Sequence, residues 1–348
     1  MLAELIWWWK LPEARKIKIL FAYSHLQSFV RRDLEMLKRH FAVKGLKITT
    51  FKNPLNIFRL FIEIIRVDVV YTWFASTIAF FSVLFSMCLR KKSLIVVGGY
   101  DVVYIPEIDY GKLKSSFGRL QVKFVLNHAS KILPFSNYAK KRVLSITKKA
   151  KVCMIPLACD THKFRPSSKQ KENLAITVCV VKENNIKRKG LKTFIESAKL
   201  LPKVKFAIIG PHEDNSINYL RKISPQNVEF TGYVTDEELV RWYQRAKVYC
   251  QLSYEEGEGA GGALGEAMAC ECIPVVSEKA VALRETVDNC GFYVPYGNAG
   301  ATAKAISQAI NSSATLGEKA RKRMLENFSI KKRETQLVKI VEDLLARH

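Results

Sequence analysis

The sequence predicts an α/β fold made of two Rossmann-like, doubly wound domains with a cleft between them. Three observations carry this. The 348 residues are enough for two domains. Short apolar runs alternate with helical stretches in both halves, the pattern of parallel βαβ units. A glycine-rich passage from Glu255 to Cys270 turns from loop into good helix formers, as at a ligand-binding strand-to-helix joint. The expected domains are residues 1–165 and 166–329, with a C-terminal helix in 330–348 packing back on the first.

In the first half, Ile17 to Tyr23 reads as a buried strand, Phe29 to Lys44 as a helix, and Leu46 to Thr50 as the next strand. Val69 to Leu89 is uncharged for 21 residues, which is long enough to span a bilayer. It divides more naturally into a strand ending at Trp73 and a helix capped by Ser76, followed by a strand from Ser93 to Val97. Gly98-Gly99-Tyr100-Asp101 ends that strand at the edge where doubly wound folds bind ligands. Asp101 is therefore either a structural cap or an acceptor for substrate hydroxyls. His25, in the loop after the first strand, is a further candidate contact. Ser136 caps a basic helix with Lys140, Lys141 and Arg142, Val152 to Pro156 reads as the last strand, and Cys159 to Pro166 as a turn and linker.

In the second half, strands are expected at 175–181, 204–209, 228–230 and 248–252. Lys182 to Gly190 is a polar, basic loop, and helices follow at 191–200 and 236–246. The strand at 248–252 delivers the glycine passage, where five glycines between 257 and 265 disfavour a continuous helix. A helix opening near Gly261 and running past Met268 fits better. Its N-terminus offers free N–H groups and the positive end of a dipole, which suits a diphosphate, with Gly261 and Gly262 permitting close approach. Glu266 would accept hydrogen bonds from a vicinal diol, and Glu258 would reach another part of the same ligand. The alternative is a tight packing loop with two solvated glutamates. Ile273 to Val276 is the next strand, and helices are expected over about 299–327 and 330–346.

Charge is uneven. The chain has 56 Lys+Arg against 32 Asp+Glu, and residues 1–165 hold 29 of the former and 10 of the latter. Such an excess favours an anionic surface or ligand. With Trp7-Trp8-Trp9 and the clusters Arg31-Arg32, Arg90-Lys91-Lys92 and Lys140-Lys141-Arg142, it points to peripheral attachment at the inner face of the membrane from the cytoplasm. A solvated basic face is the alternative. A nucleic-acid partner is not expected, because no recognised reading module is present. The eight cysteines form no Cys-x-x-Cys pair, so no metal site is expected.

In order along the chain, these features resemble the retaining family 4 glycosyltransferases. Glu258 and Glu266 match the family's Glu-x7-Glu motif, followed by Ala267-Met268-Ala269-Cys270 and Ile273-Pro274-Val275-Val276. Lys189-Gly190 matches its lysine-glycine pair, and Leu157 to Pro166 resembles its interdomain segment, with Ala158-Cys159 in place of glycine-valine. Gly232 with Asp236-Glu237-Glu238-Leu239 resembles the segment near the nucleotide base. The resemblance implies a GT-B fold and a retaining transfer of a sugar from a nucleotide diphosphate donor, without a metal or other cofactor. It implies Lys189 on the diphosphate, Glu266 on the ribose and Glu258 on the donor sugar. The first half is the acceptor domain of this fold, and its basic excess points to an acceptor that is a glycan or is polyprenyl-linked. The family's second phosphate cation is an arginine that this chain lacks at the matching place; Lys182 is assigned to it, with Arg188 as competitor. No histidine follows Gly98-Gly99, so Asp101 becomes the candidate for that catalytic role. A GT-B sugar-nucleotide epimerase or a non-catalytic sugar-nucleotide-binding protein is the alternative.

Overall fold

The computed structural model describes residues 16–255, 259 and 261–346. The first sheet is built from β1 (Lys18–Tyr23), β2 (Ala42–Lys47), β3 (Val69–Trp73), β4 (Lys92–Val97) and β5 (Lys131–Pro134). Its helices are α1 (Ser28–His40), α2 (Pro54–Ile65), α3 (Thr77–Cys88), α4 (Ser116–His128) and α5 (Asn137–Ile146). All strands are parallel in the order β2-β1-β3-β4-β5, so the strand order reverses beside β1. Alternation along the strands sorts the core into two layers. Ile19, Phe21, Val69, Tyr71, Leu94 and Val96 pack toward α1, while Leu20, Ala22, Val70, Ile95 and Val97 pack toward α2, α3 and α4.

The second sheet comprises β6 (Glu172–Val178), β7 (Lys205–Ile209), β8 (Val228–Gly232), β9 (Ala246–Gln251), β10 (Ile273–Ser277) and β11 (Phe292–Val294). Around it lie α6 (Glu183–Arg188), α7 (Leu191–Lys199), α8 (Ser216–Ile223), α9 (Asp236–Arg245), α10 (Gly262–Ala269), α11 (Val281–Val287), α12 (Ala299–Asn311) and α13 (Ala314–Asn327). The order β11-β10-β9-β6-β7-β8 is that of a dinucleotide-binding sheet, with its switch point between β6 and β9. The last helix, α14 (Ile330–Ala346), returns to the first domain, where Leu337 and Val341 are buried beside Leu34, Leu37 and Ile19.

The stretch Val69–Leu89 divides as expected into β3 and α3, with Ser76 as the cap, and among the described residues no helix is long and apolar enough to cross a membrane. Other sequence expectations need correction. The second strand begins at Ala42, directly after α1, because pairing with β1 starts at Lys18. Helix α2, opened by an Asn53 side chain that accepts from the Leu55 N–H and by Pro54, is additional to the elements expected from sequence, as are α4 and α8. The basic stretch after β6 is the short helix α6 rather than a loop. The expected last strand runs beside β5, where the Cys153 and Ile155 N–H groups donate to the Ile132 and Pro134 carbonyls, but only Val152 forms a bridge, so it is an irregular edge rather than a full sixth strand.

Candidate active site

Ligands of doubly wound sheets bind beyond the carboxyl ends of the strands at the switch point. Both switch points open on one cleft here. Its larger cavity, about 560 Å³, is lined from the first domain by Ser28 and Arg32 after β1, Phe74 after β3 and Tyr100 after β4. The second domain supplies Arg188 and Lys189 after β6, and Gly261, Gly262 and Glu266 after β9. A second cavity of about 510 Å³ lies on the other side of Arg32 and Glu266 and is lined by Asp160, Lys163, Asp236 and Leu239.

The glycine passage folds as its composition demands. Gly261 stands at φ +70°, a left-handed conformation that a side chain would strain, and it is the N-cap of α10. At Gly262 an added Cβ would meet nothing within 4 Å, so the first helical residue faces open space in the cleft. The opening turn of α10 thus borders the cavity beside Lys189, and the first N–H groups of a helix have no partner within the helix itself. Gly190 (φ +66°) begins α7, and a Cβ there would overlap the Leu252 carbonyl. That close approach holds the segment after β6 against the segment after β9. Gly259 lies against the Phe135 ring of the first domain. Glu258 lies outside the described residues.

Glu266 is buried on the second turn of α10. Its Oε1 accepts from the Arg32 guanidinium at 2.8 Å, across the cleft, and its Oε2 lies 3.4 Å from the Tyr243 hydroxyl. Burial pushes its carboxyl up, and the Arg32 charge and hydrogen bond pull it back. The second nitrogen of Arg32 donates to the Ala158 carbonyl at 2.8 Å, which fixes the fork. Arg32 is the residue that sequence reasoning misplaced. The sequence puts it in a basic cluster facing lipid, but it is largely buried between the two cavities. Its position on the first turns of a helix after a ligand-facing strand was the available signal.

Two further site expectations are corrected. Lys182 precedes α6 and pairs with Glu213 at 2.9 Å; it does not line the cleft. Arg188 does, in the last turn of α6, with its guanidinium 5.1 Å over the Tyr110 ring and bonded to Asn185. Of these two cations, Arg188 lines the cavity and Lys182 does not. Asp101 is fully buried, and its two oxygens accept from the Ala75 and Gly98 N–H groups, each at 2.9 Å. Burial pushes its carboxyl up to about 6, against the pull of those hydrogen bonds. It braces the loops after β3 and β4 and does not contact the cavity, so the structural alternative holds. His25 is exposed, bonded to Ser24, and stands outside the cleft lining.

Other bonds cross the cleft. Glu285 of α11 accepts from the Asn137 and Tyr138 N–H groups, both at 2.7 Å, so a carboxylate of one domain sits at the positive end of a helix of the other. Lys187 donates to the Glu107 carbonyl at 2.8 Å. Among the described residues, no group of three or more His, Cys, Asp or Glu could hold a metal ion.

Residues 160–329 match the family model of glycosyl transferases group 1. No curated protein matches the chain in sequence. Among solved structures, it is similar to a glycosyltransferase from Rickettsia africae at 17% identity and a TM-score of 0.76, covering 96% of this chain and 100% of that one. A sucrose-phosphate synthase from Thermosynechococcus elongatus is similar at 16% identity and a TM-score of 0.77, with the same coverage. A UDP-forming α,α-trehalose-phosphate synthase from Burkholderia xenovorans is similar at 10% identity and a TM-score of 0.68, over 95% of this chain and 99% of that one. Residues 160–329 are thus similar to the group 1 glycosyl transferases, and the two halves of the chain together form a GT-B fold.

Proposed function

We propose that the protein is a retaining glycosyltransferase that moves a sugar from a nucleotide diphosphate donor to a glycan or polyprenyl-linked acceptor at the inner face of the membrane. The observation that carries this is the convergence of Lys189, Arg188, the α10 N-terminus and Glu266 at the β6–β9 switch point. The donor's diphosphate lies against Lys189, Arg188 and the N–H groups of Gly262 and its neighbours. Negative charge grows on that leaving group as the glycosidic bond breaks, so donors already aimed at it favour the transition state over the ground state. Glu266 takes the ribose diol, and the Arg32 contact orients its carboxylate for that purpose. Glu258 takes hydroxyls of the donor sugar. The acceptor enters from the first domain, beside Phe74 and Tyr100. The reaction needs no metal or other cofactor in this reading. The basic first half and the arm with Trp7-Trp8-Trp9, which lies outside the described residues, support attachment to an anionic leaflet.

The test separates the two glutamates. Calorimetry with UDP, GDP and ADP identifies the base. Glu266→Ala weakens binding of that nucleoside diphosphate, whereas Glu258→Ala leaves it within about twofold, a difference of under 1 kcal/mol. Both variants lose transfer from the matching nucleotide sugar. Unchanged affinity and turnover in both returns the loop to a packing role.

A further inference from the structure

The outer layer of the first domain is more apolar than a solvated surface. Helices α2, α3 and α4 pack side by side over one face of the sheet. On the outside of α2, Leu55 (69% exposed) and Phe58 (63%) are followed by Ile62 and Ile65, a helical stripe turned away from the core. On α4, Phe117 (66% exposed) and Leu120 (65%) begin a second stripe that continues to Phe124. Between them α3 carries no charge at all. Partly exposed rings join the helices in a row: Phe61 to Phe85 at 5.2 Å, Phe81 to Phe85 at 5.9 Å, Phe80 to Phe81 at 5.3 Å, and Phe80 to Phe124 at 4.9 Å. Large contiguous apolar patches on a protein surface mark an interaction site.

Charge says what the partner is. The sequences of the three helices contain one carboxylate, Glu63, and it is buried and bonded to Lys44 at 2.7 Å. Exposed cations interleave the stripes, with Arg59 on α2 and Arg119 and Lys123 on α4, and Lys52, Arg66 and Arg90 flank them. We propose that this face is the surface by which the protein inserts into the interfacial region of an anionic bilayer, with Leu55, Phe58, Phe117 and Leu120 in the headgroup–acyl boundary and the cations on lipid phosphates. Pairing two copies through the same face would set like charges against each other, whereas an anionic leaflet satisfies both the apolar and the basic residues. Helix α3, with 12 residues, is far too short to span. In a doubly wound domain the helices start at the carboxyl edge of the sheet. Leu55 and Phe117 therefore lie at the cleft end of this layer, where a cavity of about 470 Å³ lined by Thr50, Phe51, Lys52, Thr77 and Lys112 opens on the acceptor side. Docking by this face brings the cleft to the membrane plane.

This inference rests on the membrane-surface reading and not on sugar transfer, so the two fail separately. The test is flotation of the full-length protein with vesicles of equal parts phosphatidylglycerol and phosphatidylcholine, against phosphatidylcholine alone. The native chain floats with the anionic vesicles and releases as salt rises. The variant Leu55→Ser/Phe58→Ser/Phe117→Ser/Leu120→Ser partitions about tenfold or more weaker, since several buried side chains are lost. Arg59→Glu/Arg119→Glu/Lys123→Glu also loses binding. Both keep the melting temperature and the nucleoside diphosphate affinity of the native chain. A reversal on α5, Lys140→Glu/Lys141→Glu, floats close to native. The proposal is overturned by any of three results: no flotation of the native chain, native flotation of the serine variant, or a lipid-free dimer that the serine variant dissociates.

Discussion

Two buried carboxylates flank the cleft and show how a partner decides a residue's work. Glu266 shares its oxygens with Arg32 from the other domain and still borders both cavities. Asp101 spends its oxygens on the Ala75 and Gly98 N–H groups and is sealed. Its pKa is raised from 3.8 to about 6. Between those values the native state holds a proton that the unfolded chain has released, so this group's contribution to stability falls as pH rises through that window and is constant above it. Asp101→Asn retains one acceptor and turns an amide toward the other N–H, a loss of roughly 1–3 kcal/mol. Urea unfolding at a series of pH values should show the native chain's advantage over Asp101→Asn largest in acid and shrinking toward pH 6. A gap that widens with pH refutes the assignment of the proton to Asp101.

At the scale of one element, α6 decides which cations face the cavity. Six residues wind into a helix after β6, ended by Lys189 as C-cap and by left-handed Gly190. The winding carries Arg188 and Lys189 round to the cleft and leaves Lys182 before the helix, against Glu213. A charge-assisted contact is worth roughly 1.5–3 kcal/mol, so Arg188→Ala and Lys189→Ala should each weaken nucleoside diphosphate binding by about tenfold or more. Lys182→Ala should stay within about twofold, as expected for an exposed pair. Calorimetry with the three variants ranks them, and a loss confined to Lys182→Ala reverses the order argued from α6.

At the scale of the whole molecule, the two domains are tied by a chain that crosses twice. Helix α14 follows the second domain yet docks on the first, and its Arg333 is buried there. The guanidinium donates to both oxygens of Asp33 at 2.7 Å and to the Ile155 and Pro156 carbonyls, while the Tyr71 hydroxyl donates to Asp33 at 2.6 Å. Burial works against the arginine's charge, but Asp33 beside it holds its pKa above the usual value. Every polar atom of the group has a partner, so removing one strands the others. Arg333→Met should cost roughly 3–5 kcal/mol, read by urea unfolding with a probe in the first domain. Asp33→Leu combined with Arg333→Met should recover part of that loss, because the uncompensated charge is gone. A loss of under about 1 kcal/mol for Arg333→Met would show the network to be solvated.

What was legible in the sequence was local. The glycine passage, the opening of α10 at Gly262, the cap at Ser136 and the βα rhythm depend on propensities and caps within a few residues of one another. Helix α2 had such signals in Asn53 and Pro54 and a helical periodicity close to that of α1, so it too was legible locally, although it is not among the elements expected from sequence. The rest lay in contacts between distant residues. Arg32 meets Glu266 across 234 positions and Arg333 meets Asp33 across 300, so no window of sequence contains either pair. Asp101 and Lys182 carry the same chemistry as the residues that line the cleft. Only the packing of the loops after β3, β4 and β6 decides which carboxylate and which cation face a ligand and which are consumed by the protein itself.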